Sequence, residues 1–223
     1  MSARRYVNLA IVLGCLAVAS SAMAVTIHRS FAGGYPQSAT DARVRTTEQR
    51  AKPKGTVLVE AARKQVGVTV SYVPTYRKLD YPNGDVPRSE GVCVDVVIRA
   101  MRDAKLGDLQ QLVHEDMKAN FAKYPQNWGL KKPDPNIDHR RVPNLQCYFK
   151  RKGYAVPVTQ NGADYRPGDI VTSLVGGRLP HIMIVSDKKN ASRAPLVIHN
   201  IGSGAKEEDG LFDYPLTGHY RLK

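Results

Sequence analysis

Ser89-Glu90-Gly91-Val92-Cys93-Val94-Asp95-Val96-Val97-Ile98-Arg99-Ala100 reads as a loop running into the first turns of a buried helix. Cys93, Val96, Val97 and Ala100 recur at i, i+3, i+4 and i+7, one apolar stripe with the cysteine at its head. A thiol placed there meets the positive end of the helix dipole. With an imidazolium beside it, its pKa is expected to fall from about 8.5 into roughly the 3.5–7.5 range. Sulfur is then a nucleophile at neutral pH. The plainer alternative is that Cys93 is only the first core residue of the stripe.

Upstream, Val57, Val59, Ala61, Lys64 and Val66 suggest an amphipathic helix ending at Gly67, followed by an irregular Tyr- and Pro-rich stretch from Tyr72 to Ser89. Downstream, Gly107 closes the cysteine helix. Asp108 opens another, with Gln111 three positions on in a capping-box arrangement. A loop from Tyr124 to Asn144 and a short helix from Val142 to Lys152 follow. The texture then turns to β: Ile170–Leu174, Leu179–Val185, Pro195–Ile201 and Gly218–Leu222. Helices first and strands afterwards predict an α+β fold, with N-terminal helices packed on an antiparallel sheet.

Two of those strands carry histidine. The polar stretch Asp187 to Arg193 makes them a hairpin, and Asn190 is equidistant from His181 and His199. A symmetric pairing sets the two imidazoles directly across from one another on one sheet face, a register that a single bulge would upset. The chemistry that follows assigns Cys93 as nucleophile, His181 as general base and His199 as the group that orients it. The Cys93 backbone N–H is the expected oxyanion donor, with Tyr81 in the preceding loop as a candidate second donor.

Pro167-Gly168-Asp169-Ile170-Val171 and Pro180-His181-Ile182-Met183-Ile184-Val185 resemble the strands of the NlpC-type branch of papain-like cysteine peptidases. More closely, the chain resembles the bacterial group called domain of unknown function 1287. Four stretches carry this likeness: Gly91–Ala100, Leu112–Met117, Asn136–Leu145 and Leu196–Gly204. The resemblance covers about Gly55 to Lys223 and implies a papain-like core and an amide hydrolase. The NlpC-type pattern has Asp-Cys-Ser-Gly around its nucleophile, whereas Val92 and Val94 flank Cys93 here.

Residues 1–24 read as an export signal: Arg4 and Arg5, an apolar run from Val7 to Ser20, then Ala22-Met23-Ala24 for cleavage. An uncleaved anchor is the rival reading. Residues 25–54 lack apolar periodicity and read as a disordered linker, leaving 55–223 as one hydrolase domain. The expected location is the periplasm or outside the cell, with a monomer and no membrane span once the signal is gone. Cys15 lies in the signal, so Cys93 and Cys147 remain, either bridged or, as the surroundings of Cys93 favour, both free with Cys147 buried.

The chain has 33 basic and 20 acidic residues, a formal charge of +13. For an exported protein that charge points to peptidoglycan or another anionic envelope polymer as partner, or simply to a solvated surface. No nucleic-acid motif accompanies it. His114, Asp116, Asp138 and His139 are metal-ligand types without metal-site spacing, so neither metal nor cofactor is expected. Asp138, His139, Arg140 and Arg141 are candidates for the substrate groove, where an Arg fork would take a carboxylate. Asp95 is expected to turn from the sulfur and tie down a loop; His28 and His219 read as incidental. The competing functional classes are a non-catalytic envelope-binding module and a thiol acyltransferase or esterase.

Overall fold

The computed structural model describes residues 52–223. The export-signal assignment, His28, Cys15 and the linker up to residue 51 lie outside them. Among the described residues, no helix is long and apolar enough to cross a membrane.

The chain is a mixed α+β protein. In order it runs α1 (Lys54–Arg63), β1 (Ser71–Tyr72), β2 (Glu90–Gly91), α2 (Cys93–Asp103), α3 (Leu109–Asn120), α4 (Val142–Arg151), β3 (Ile170–Val175), β4 (Leu179–Lys189), β5 (Pro195–Asn200), β6 (Ala205–Glu208) and β7 (Leu216–Tyr220). Strands β3 to β7 form one antiparallel sheet in the order β6-β5-β4-β3-β7. The short β1 and β2 pair in parallel and deliver the chain to Cys93.

Alternation along β3 to β5 divides the sheet into two apolar faces. Ile170, Ile182, Ile184 and Ile198 pack with the helices, while Val171, Met183, Val185 and Val197 meet Tyr165, Leu211 and Leu216 on the other side. Gly168, in the turn before β3 with φ 83°, lets α1 approach: a Cβ there would lie 2.2 Å from the Cα of Gly55.

Helix α2 departs from its expected single stripe. Every residue from Cys93 to Met101 is buried, because α2 is enclosed by the sheet, α1 and the long loops. Its two charged residues inside are accordingly paired. Arg99, 1 % exposed, bonds both carboxylate oxygens of Asp85 and the carbonyls of Val86, Pro87 and Glu90. That pins the Tyr- and Pro-rich loop down, so that β2 feeds straight into the helix.

Three local expectations shift. Helix α2 ends at Asp103, and Lys105 and Gly107, both with positive φ, make the exit. Asp108 caps α3 through the N–H of Gln110, and the Gln111 side chain bonds Glu115 instead of closing a capping box. Strand β6 was not expected at all: Ala205-Lys206-Glu207-Glu208 is too charged for a half-buried pattern, but suits a sheet edge.

Candidate active site

Cys93 is the first residue of α2, and Asp95 fixes that start. Its Oδ2 accepts the N–H of Val92 at 2.7 Å, while Arg140 grips both carboxylate oxygens at 3.0 and 2.8 Å. Asp95 and Arg140 are both nearly inaccessible to solvent. The carboxylate is thus held on a loop, and its charge still works against a thiolate next door. Asn200, at the end of β5, donates to the carbonyls of Ser71 and Gly91 and ties the segment before Cys93 onto the sheet.

Burial pushes the Cys93 thiol up to about 11. The Ile182 and Val94 N–H groups and the Tyr72 hydroxyl face the sulfur and pull in the opposite direction, without prevailing. This corrects the expectation of a low thiol pKa: the dipole of α2 is outweighed by removal from water. Cys93 and Cys147 are both free, and Cys147 is half-buried with its Sγ 3.3 Å from the carbonyl of Lys123.

The sulfur sits beside the backbone of the residue that follows His181. His181 Nε2 lies 2.8 Å from His199 Nδ1, and burial followed by the neighbouring imidazole pushes His181 down to about 3. The pairing that brings the rings together differs from the symmetric hairpin. Ile184 pairs with Ile198 and Val185 with Val197, and a bulge follows towards Lys189. That bulge displaces the register by two residues, so parity and face are kept and the histidines meet diagonally. Sulfur and imidazole make no hydrogen bond with one another among the described residues. With burial pushing the thiol up and the imidazole down, both groups favour their neutral forms.

A cleft of about 340 Å³ opens over the sulfur, lined among others by Tyr72, Val92, Cys93, Trp128, Arg140 and Arg141. A larger hollow of about 520 Å³, beside Gly55 and Arg166, does not reach Cys93, and His181 and His199 line neither of the two. In the smaller cleft, Arg141 stacks its guanidinium 4.1 Å from the Trp128 ring centroid and reaches Asp138 Oδ1 at 3.3 Å.

Of the five residues expected to face the substrate, Arg141 lines the cleft as foreseen and the other four need revision. Tyr81 does not line the cleft. Gln110 accepts from the Gly84 N–H and donates to the Asp80 carbonyl, and Asp108 accepts from the Asn83 N–H; these bonds hold its loop on α3, where Tyr81 packs edge-on against His114. Asp138 is 1 % exposed and serves its own turn, accepting from the Asp134 N–H and Arg141. His139 is similarly buried, pushed down to about 3 by burial, and does not line the cleft. Arg140 does line the cleft, but its fork is spent on Asp95. Asp116 is structural, engaged by Tyr124, Arg151 and Lys152. Among the described residues no group of three His, Cys, Asp or Glu could hold a metal.

His219 is not incidental. Its ring nitrogens face Asp169 at 2.7 Å and the Pro157 carbonyl at 2.9 Å, and Tyr165 stacks on it at 4.3 Å. With Arg221 on the same carboxylate, it fastens β7 to the turn before β3. Tyr72 and Glu208 were missed as neighbours of the cysteine–histidine group. Tyr72 is one of several tyrosines in one irregular stretch, and only the β1–β2 pairing distinguishes it. Glu208 sits on the strand that was not foreseen, with Oε1 3.0 Å from His199 Nε2.

These features define an α+β domain with a cysteine heading a buried helix, set against a sheet that carries a hydrogen-bonded histidine pair. The chain belongs to the domain of unknown function 1287 (DUF1287) family, which matches residues 59–222. It is 56 % identical over 164 residues to the Escherichia coli K12 protein described as uncharacterized protein YijF, covering 74 % of this chain and 80 % of that one. A crystal structure of an N-acetylmuramoyl-L-alanine amidase from Bacteroides uniformis is similar over 75 % of this chain and 97 % of that chain. Its sequence identity is 11 % and its TM-score 0.43.

Proposed function

We propose that the protein is an exported cysteine hydrolase with a papain-like, NlpC-type core that cleaves an amide in peptidoglycan stem peptides or a related envelope peptide. The observation that carries this reading is Cys93 at the head of α2 and in the lining of a cleft, its sulfur against the backbone N–H of Ile182, the residue after His181, whose ring joins His199 at 2.8 Å. Residues 1–24, with their signal-like pattern, and the +13 charge favour a periplasmic or secreted protein working on an anionic polymer.

The chemistry starts from a neutral pair. As sulfur attacks the carbonyl, the thiol proton passes to His181 Nδ1, and His199 supports the imidazolium through His181 Nε2. The oxyanion is met by the Cys93 N–H, with the Tyr72 hydroxyl at the cleft in the place first assigned to Tyr81. His181 returns the proton to the leaving amine. Water then hydrolyses the thioester, regenerating the thiol and releasing a carboxylate. Of the two arginines foreseen for the groove, Arg141, braced by Trp128 and only partly engaged by Asp138, is the site for a substrate carboxylate.

The burial of Cys93, 5 % exposed, which pushes its thiol up, favours a second reading, a binding module that keeps the fold without catalysis. Incubation with purified muropeptides, followed by mass spectrometry, separates the two. The hydrolase reading expects new fragments from the wild type and none from Cys93→Ala. Equal release by both proteins, or release by neither, refutes it.

A further inference from the structure

The histidine pair does not end at His199. Glu208 stands opposite Val197 in the β5–β6 ladder, one diagonal step from His199 on the same face, and its Oε1 lies 3.0 Å from His199 Nε2. A carboxylate can only accept a hydrogen bond. His199 Nε2 must therefore carry a proton, and a neutral His199 then presents a lone pair at Nδ1. That lone pair faces His181 Nε2 at 2.8 Å, so Nε2 of His181 is the donor. A neutral His181 is left with its own lone pair on Nδ1, the nitrogen outside the pair.

We infer that Glu208 is a positioning residue that sets the tautomer of two histidines in series and so keeps His181 Nδ1 free to act as a base. Without the carboxylate the chain can run the other way. His199 Nδ1–H then donates to His181 Nε2, the His181 proton moves to Nδ1, and no lone pair remains for the thiol. Burial keeps His181 uncharged near neutral pH, so the placement of one proton, rather than the charge of the ring, decides whether the base exists. The inference rests on the reading of His181 as the general base. It goes further by assigning a third member to the relay, on the edge strand.

The test uses nitrogen-15 histidine spectra of the full chain together with peptide release from muropeptides. Glu208 is 39 % exposed on an edge strand, so substitutions there leave the core alone. In the wild type both rings carry the proton on Nε2. Glu208→Gln, whose amide can accept or donate, gives a mixture of tautomers. Glu208→Lys, whose ammonium only donates, moves the protons of both rings to Nδ1. Peptide release by Glu208→Lys falls roughly 10²-fold, the lower end of what general-base transfer supplies. Wild-type tautomers in both variants overturn the inference while leaving the hydrolase reading standing. Reversed tautomers in a protein that releases no peptide even as wild type leave the Glu208 assignment standing and remove the hydrolase.

Discussion

Alkylation of Cys93 by iodoacetamide tests the neutral pair directly. Burial lifts the thiol from an ordinary value of 9.0 to about 11. At pH 7 that leaves about 0.01 % thiolate, against about 1 % for an unperturbed cysteine, a hundredfold deficit. A more basic thiolate is also a better nucleophile, by about 0.4–0.5 log units per pKa unit, which returns roughly tenfold. Cys93 should therefore react about tenfold more slowly than a free cysteine at pH 7. Its rate should climb about tenfold per pH unit, with no plateau before pH 10. The fold limits the upper end of the scan. Stability from a raised thiol is complete below about pH 9 and disappears as pH approaches 11, because the unfolded chain ionises first; the loss is up to about 3 kcal/mol. Rates read at pH 6 to 9.5, by mass spectrometry of the Cys93 peptide, avoid that region. A plateau with its inflection below pH 8 would mean that Cys93 rests as a thiolate beside a charged His181, and the argument from burial would be refuted.

The two adjacent arginines should separate cleanly. Arg140→Met leaves the Asp95 charge buried without its partner and is expected to cost about 3–5 kcal/mol in urea unfolding. Arg141→Met should leave stability nearly unchanged and raise KM roughly tenfold for a carboxylate-bearing substrate, with kcat little altered, as steady-state kinetics would show. Burial works against ionisation of Asp116, but its bonds to Arg151, Tyr124 and Lys152 prevail and hold it at about 2, below the ordinary 3.8. A lowered carboxyl stabilises above its unfolded value and loses that contribution as pH falls through the folded one. With two of its partners partly solvated, Asp116→Asn should cost about 1–2 kcal/mol at pH 7 and close to nothing near pH 2 by thermal unfolding.

The parts of the fold that were legible in the sequence are those governed by local periodicity. Leu109, Val113 and Met117 recur at helical spacing and all are buried on α3. The strand-like runs at 170, 179 and 195 carry the alternation that a two-faced sheet demands. Strand β6 escaped because an edge strand owes its place to a neighbour, not to its own apolar residues. The enclosure of α2 escaped for a related reason. Asp95 and Arg99 look like an exposed face until Arg140 and Asp85, distant in sequence, are brought against them.

The site divides along the same line, and the division explains which roles moved. The places of Cys93 at a helix head and of His181 and His199 on neighbouring strands were legible because each belongs to an element whose type the sequence declares, and the sheet period fixes which histidines share a face. The error in register was two residues, an even number, so it altered the pairing without changing the face. Tyr81, Asp138 and His139 were drawn from loops, where residue type says nothing about direction. There the decisive contacts are made by Gln110, Asp108 and Asp134, none of which announces its partner. The thiol pKa failed differently. Helix dipole and imidazole are local features visible in the chain, whereas desolvation depends on everything packed around the sulfur. For Cys93 that surrounding is the interior of the protein, so the positive helix end facing the sulfur is present and still loses. A nucleophile held neutral at rest needs its base in the right tautomer more than it needs a charged neighbour, which is why a carboxylate two residues removed from the sulfur carries functional weight here.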